Sequence, residues 1–264
     1  MVRRRRWAVV TAGVWTALSW GCQPMVSRGP LPFVPVVERP AGTDQPGVLY
    51  TVYTLQSAHA EHGVVEDLWK YVDERAPQGA SVELRRQNNL RVGLLKDQFR
   101  SAAEATLERI HTGRLSPLPT FCPVGKVQFF ACGAPHQDVA LFLWTREDEV
   151  WGRSFPQLSL ALEVGATPLS ENLAELVVTP ALLTEPMQRQ RFGALETVVR
   201  APLGASLVVG AVDPRGVGTQ EGGEALGRLF QASVNSPDDR EQLLIITVDA
   251  VRLAAPSPAR ASKR

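Results

Sequence analysis

The run from Gln157 to Val164 constrains the fold more than any other stretch of the chain. Leu158, Leu160, Leu162 and Val164 alternate there with Gln157, Ser159, Ala161 and Glu163. A period of two puts one set of side chains on a buried face and the other on a wetter one, which describes a strand in a sheet with one core-facing side. Similar segments occur at Lys126–Ala131, Val139–Thr145, Ala174–Thr179, Ala194–Arg200, Ser206–Val212 and Gln242–Val251. Leu243–Ile246 is apolar on both faces and suits a more central strand. Few helical stretches remain to cover a parallel sheet, so residues 120–253 are expected to form a strand-rich domain, a predominantly antiparallel β-sandwich or curled sheet.

The part before it mixes periods. Val48–Leu55 reads as a strand. From His62 to Arg75, Val65, Leu68, Trp69 and Val72 recur at helical spacing. A short helix over Ser81–Gln87 leads to an Asn88-Asn89 turn and a strand at Leu90–Leu95. Asp97 is placed to cap a helix through Ile110. Gly113 and Ser116–Pro119 mark the clearest internal boundary. The fold class is therefore α+β, with an N-terminal mixed α/β unit over 48–115 ahead of the strand-rich domain.

Residues 1–22 read as an address. Arg3 to Arg6 precede an apolar run from Trp7 to Trp20, followed by Gly21-Cys22. A basic start, a short hydrophobic segment and a small residue before the break describe a secretory leader. The apolar run is shorter than the ~20 residues of a spanning helix. A small residue directly before cysteine resembles the bacterial lipobox, which implies a signal peptide over 1–21, cleavage before Cys22 and lipidation of Cys22. Trp20 is bulkier than the residue usual at its position; ordinary secretion or a retained membrane anchor is the competing reading. Residues 22–47 then carry prolines at 24, 30, 32, 35, 40 and 46 and read as a tether, or alternatively as an extended arm against the domain. Residues 254–264 read as a flexible tail.

Formal charge is +1 for the whole chain. Removing the leader takes four arginines and no acid, leaving 24 Lys+Arg against 27 Asp+Glu. A mildly acidic chain has no nucleic-acid footprint. Outside the cytoplasm Cys122 and Cys132 form an even pair. A bridge would close a short loop and contribute ~2.8 kcal/mol on the chain-entropy estimate; two separately buried thiols are the alternative.

Catalytic chemistry finds little support. His59 and His62 are three apart and share a helix face only if that stretch is helical, and they lack the spacing of a zinc-protease helix, so no metal and no cofactor is expected. Ser154 and Ser170 sit in no nucleophile-elbow pattern. Cys132 has His136 four positions on, but the disulfide reading would consume that nucleophile. Trp151 and Phe155 flank a charged turn and could present a binding edge, while core packing accounts for most of the aromatics around them.

The segments EDLWKYVDE at Glu66–Glu74, ELRRQNNLRVGLL at Glu83–Leu95, LSLALEVG at Leu158–Gly165, SLVVG and QLLIITV resemble those of uncharacterised lipoproteins of planctomycete-type bacteria. In such relatives a glycine often follows an asparagine before the LRVG strand, where this chain has Asn88-Asn89. The resemblance implies a cell-envelope location and no established reaction, so no catalytic residues carry over. Together these readings give an envelope lipoprotein that is not an enzyme. It would attach to the membrane through Cys22, face outside the cytoplasm and work by structural support or contact with an envelope protein partner. A binding module for a small molecule, glycan or secretion-machine component is the alternative.

Overall fold

The computed structural model describes residues 45–111, 114–146, 149–184, 188–212, 224–232 and 240–254. The leader, Cys22, the Pro-rich stretch up to residue 44, most of the 213–224 and 233–241 segments and the tail beyond 254 lie outside the described residues.

β1 (Gly47–Ala58) forms where Val48–Leu55 predicts a strand. Its Val48, Tyr50 and Val52 enter one core while Tyr53 and Leu55 enter another, so both faces of this strand are covered. α1 (His62–Trp69) buries Val65, Leu68 and Trp69 but ends well before Arg75. Val72, which fits the helical period, instead belongs to β2 (Val72–Asp73) and pairs with Leu95. Strand pairing outcompetes the local helical preference there. β3 (Gln78–Gly79) precedes α2 (Val82–Gln87), whose first turn is capped by Ser81 Oγ accepting from the Leu84 amide at 3.0 Å. Asn89 then takes the left-handed conformation, φ 57°, and turns the chain into β4 (Leu90–Leu95). Glycine adopts this geometry most readily, and asparagine is among the few other residues that tolerate it.

α3 (Arg100–Glu108) follows a 3-10 turn at Asp97–Phe99. Asp97 does not cap it; its carboxylate accepts from Arg100 Nη2 at 2.7 Å. β5 (Arg114–Pro123) runs straight through the expected boundary at Ser116–Pro119. The prolines do not break it because β5 is an edge strand paired with β1 alone. Pro117, Pro119 and Pro123 share one parity, so their donor-free nitrogens all point to the open side, where they also discourage strand addition.

β6 (Val127–Arg146) and β7 (Glu149–Ser170) make a long antiparallel hairpin. Asp138 has φ 51°, and across it the buried set of β6 changes parity, from Phe130, Cys132 and His136 to Val139, Leu141 and Leu143. The chain continues through β8 (Leu173–Thr184), β9 (Gln188–Arg191), β10 (Thr197–Pro202) and β11 (Ser206–Ala211). It then passes β12 (Glu224–Ala225), a 3-10 turn at Leu226–Phe230, β13 (Gln231–Ala232) and β14 (Arg240–Arg252).

Among the described residues the strands form two seven-stranded sheets. The first runs β2-β4-β11-β14-β1-β5, with β13 on β14; the second runs β12-β6-β7-β8-β10-β3, with β9 on β8. Every pairing is antiparallel except β12 with β6. The main core lies between the sheets, built from Leu158, Leu160, Leu162 and Val164 of β7 against Leu244, Ile246 and Val248 of β14. α1 and α3 pack on the outer side of the first sheet over Tyr53, Val208, Leu243 and Ile245. The fold is thus α+β, a helix and strand region followed by a large antiparallel sheet region. Stretches 48–115 and 120–253 interleave in both sheets, since β1 pairs with β14, β4 with β11 and β3 with β10.

Candidate functional site

The outer face of the second sheet holds the most developed surface chemistry among the described residues. Phe129, Glu163 and Thr179 are register neighbours across β6, β7 and β8, and the next row is Ala131, Ala161, Ala181 and Arg191. Small alanines let long side chains lie flat across the strands. Arg189 reaches Glu163 Oε1 with its Nε at 2.5 Å, and its guanidinium stacks 4.3 Å from the Phe129 ring centroid. Arg191 lies 3.5 Å from Glu163 Oε2 and donates to Glu196 at 2.5 Å and to Thr179 Oγ1 at 3.3 Å. Glu163 is thereby buried under two half-exposed arginines, while Phe129 stays 44 % exposed. A fixed guanidinium on an exposed aromatic ring is the side-chain chemistry enriched in protein contacts.

Sequence reasoning put Glu163 on the outward face of its strand but missed its cationic partners. The signal was present in Gln188-Arg189-Gln190-Arg191, where a period of two puts both arginines on one face.

A second network lies on the helix side of the first sheet. Arg91 donates to both oxygens of Glu66 at 3.0 Å and to Glu74 Oε1 at 2.7 Å, and it lies 4.2 Å from the Trp69 ring centroid. These contacts tie α1 and the segment after β2 onto β4, so Arg91 is a brace. Burial pushes the Glu74 carboxyl up, but hydrogen bonds from Arg91 and Arg86 and their charges outweigh it and hold the group below the usual carboxylate range. A lowered folded-state value contributes stability that is present above the unfolded value and lost as pH falls through the folded one. Glu74→Gln is accordingly expected to flatten the loss of stability below about pH 4, read as the difference in urea midpoint between neutral and acid pH. An unchanged acid slope would show that this carboxylate does not drive it.

Of the expected site residues, Trp151 and Phe155 pack together, whereas Cys122 and Cys132 do not bridge. Cys122 and Cys132 are free, buried thiols on strands of opposite sheets. Cys122 Sγ donates to the Lys126 carbonyl in the β5–β6 connection at 3.3 Å, and Cys132 Sγ to the Phe130 carbonyl of its own strand at 3.3 Å. Burial raises both thiol pKa values, the reverse of an activated nucleophile. His136 is buried on β6 with its Nε2 unpartnered, and Cys132 makes its hydrogen bond to backbone rather than to that ring. Phe155 belongs to the main core: it faces Val139, and the parity change at Asp138 turns both inward. Trp151 packs beside it, with ring centroids 6.1 Å from Phe155 and 5.9 Å from Phe192. Phe155 and Phe192 belong to the main core, and Trp151 packs against it partly buried.

His62 Nδ1 lies 2.8 Å from Glu241 Oε2, joining the start of α1 to β14, while Glu61 accepts from the His111 amide at 2.7 Å. The side chain of His59 lies outside the description. Among the described residues no three His, Cys, Asp or Glu side chains gather as a metal site, and no helix is long and apolar enough to cross a membrane.

Neither a family model nor a curated protein matches the chain, and no solved structure matches it. The resemblance to planctomycete-type lipoproteins rests on the quoted segments alone.

Proposed function

We propose that this protein is a non-enzymatic lipoprotein of the cell envelope, held to a membrane by acylated Cys22 and acting outside the cytoplasm through contact with other proteins or as structural support. One observation carries the reading: Arg3–Arg6, the apolar run to Trp20 and Gly21-Cys22 together have the order of a lipoprotein leader. The character of the folded part supports it. Its thiols are buried with raised pKa values, and its open sheet face pairs a stacked arginine with an exposed aromatic ring. One acyl chain holds a protein only marginally, so stable attachment calls for more than one on Cys22.

Mass spectrometry of protein purified from membranes is expected to find a mature N terminus at Cys22 carrying acyl groups. Cys22→Ser is expected to remove that modification. An unmodified Cys22, or a mature N terminus elsewhere, would sink the lipoprotein reading.

A further inference from the structure

We propose that one end of the sandwich is a lipid-contacting surface that sets the folded domain down on the bilayer holding Cys22. The inference rests on the anchor reading above and adds the orientation of the domain. Nine large apolar side chains are exposed among the described residues. Five of them, Val124, Val127, Leu169, Leu203 and Leu253, lie at a single end and are each 43–45 % exposed. The topology puts them together. The chain passes from the first sheet to the second through Val124–Lys126, between β5 and β6. It returns through Leu203–Ala205, between β10 and β11. Leu169 lies at the β7–β8 turn, where Asn172 accepts from the Leu203 amide at 2.9 Å, and Leu253 directly follows β14. The other four, Leu118, Phe129, Val150 and Leu183, are dispersed over edge, face and far hairpin tip.

The same end receives the chain from Cys22. β1 begins at Gly47, which is paired with Arg252 and Pro123, and the Val124 amide donates to the Pro46 carbonyl at 3.1 Å. Residues 23–46 therefore run from the proposed anchor to the end that carries the apolar tips. Fully extended they reach at most roughly 80 Å, too long a connection to hold the domain down by itself. Apolar tips on separate turns suit a lipid interface, which asks for no shape complementarity, better than a protein partner that needs one continuous packed patch. Lys126, exposed between Val124 and Val127, is placed at headgroup level.

The test uses the full chain, purified with its native N terminus and reconstituted into phosphatidylcholine–phosphatidylglycerol vesicles. An environment-sensitive dye is attached at Leu203→Cys or, at the far hairpin tip, at Val150→Cys; Cys122 and Cys132 are buried, and if Cys22 proves unmodified the labelling is done in the Cys22→Ser chain so that the dye sits at one position. On vesicles the Leu203 label is expected to shift to the blue and lose its quenching by aqueous iodide, while the Val150 label keeps both its spectrum and its quenching. Leu169→Asp in the Leu203→Cys chain is expected to restore iodide quenching. Equal quenching at both positions in a chain with acylated Cys22 overturns the orientation and leaves the anchor standing. Shielding of Leu203 in a chain whose Cys22 is unmodified overturns the anchor and leaves the lipid-contacting end. An unmodified Cys22 with Leu203 fully quenched overturns both.

Discussion

Replacing Gly227 with alanine is expected to destabilise the fold by about 3 kcal/mol, at the upper end of what overpacking a core costs. A Cβ built at Gly227 would stand 1.7 Å from the Asn89 carbonyl oxygen and 2.4 Å from its carbon, both backbone atoms that no rotamer change can move. The clash lies where two segments are already pinned. The Gly227 amide donates to the Asn88 carbonyl at 2.8 Å, and the Val212 amide to the Asn89 carbonyl at 3.0 Å. Backing the 3-10 turn away would draw Leu226 and Leu229, both fully buried, out of the main core. Moving the Asn88-Asn89 corner would disturb the start of β4. Gly63→Ala is the control, because nothing lies within 4 Å of a Cβ there and the position is helical. It is expected to raise stability by about 0.5–1 kcal/mol. Urea unfolding of both variants checks the pair, and a Gly227→Ala midpoint equal to that of the parent would refute the close approach.

The contrast between Gly227 and the alternating β7 run shows what was legible in the sequence. Leu158 to Val164 could be assigned a face from their own spacing, as could β1, β4 and the buried sides of α1 and α3, because periodicity is local information. Pairing is not local. Thr51 hydrogen-bonds Asp249 at 2.6 Å across 198 residues of sequence, and nothing near either residue announces the other. That distance also explains why 48–115 read as a separate unit although its strands interleave with later ones. Prolines misled at β5, where the edge position makes them harmless. The helical period misled at Val72, where Leu95 claims it. Phe155 was open to both a binding edge and core packing because it flanks a charged turn, and only the left-handed Asp138 reveals the parity change that turns it inward. For the candidate surface, Glu163 was visible as an outward acid, but its burial depends on Arg189 and Arg191 from a strand more than twenty positions on. The apolar end was hidden for the same reason, since its members are single residues on separate turns.

The second large effect is expected at Asn88, whose side chain substitutes for a missing strand. Its Nδ2 donates to the Trp144 carbonyl at 2.9 Å and the Leu84 carbonyl at 2.8 Å, and its Oδ1 accepts from the Trp144 amide at 2.9 Å. Trp144 stands opposite Val150 of β7, but its amide and carbonyl both turn to the other side, where β12 reaches only Leu141 and Phe142. The buried Asn88 amide supplies both a donor and an acceptor where that ladder stops. Asn88→Ala strands a backbone donor and acceptor of Trp144 and removes a bond from α2, at a cost of about 3 kcal/mol given 1–3 for each buried group left unsatisfied. Asn88→Asp separates this account from a simple packing loss. The carboxylate keeps an acceptor for the Trp144 amide but turns a charge toward the Trp144 and Leu84 carbonyls, so the protonated form is favoured and the folded-state pKa rises. A raised carboxyl pKa gives stability that is greatest below the unfolded value of ~4 and is lost as pH climbs toward the folded value. Asn88→Asp is therefore expected to approach the parent in stability at pH 4 and to fall well below it at pH 7. Asn88→Ala should show no such added dependence. Because Gly227 docks on the carbonyl of the same residue, Asn88→Ala and Gly227→Ala are expected to be less than additive in a double-mutant cycle. Either variant alone already frees the corner that the other would disturb, and strict additivity would mean that α2, β6 and the 3-10 turn are not fastened at one point.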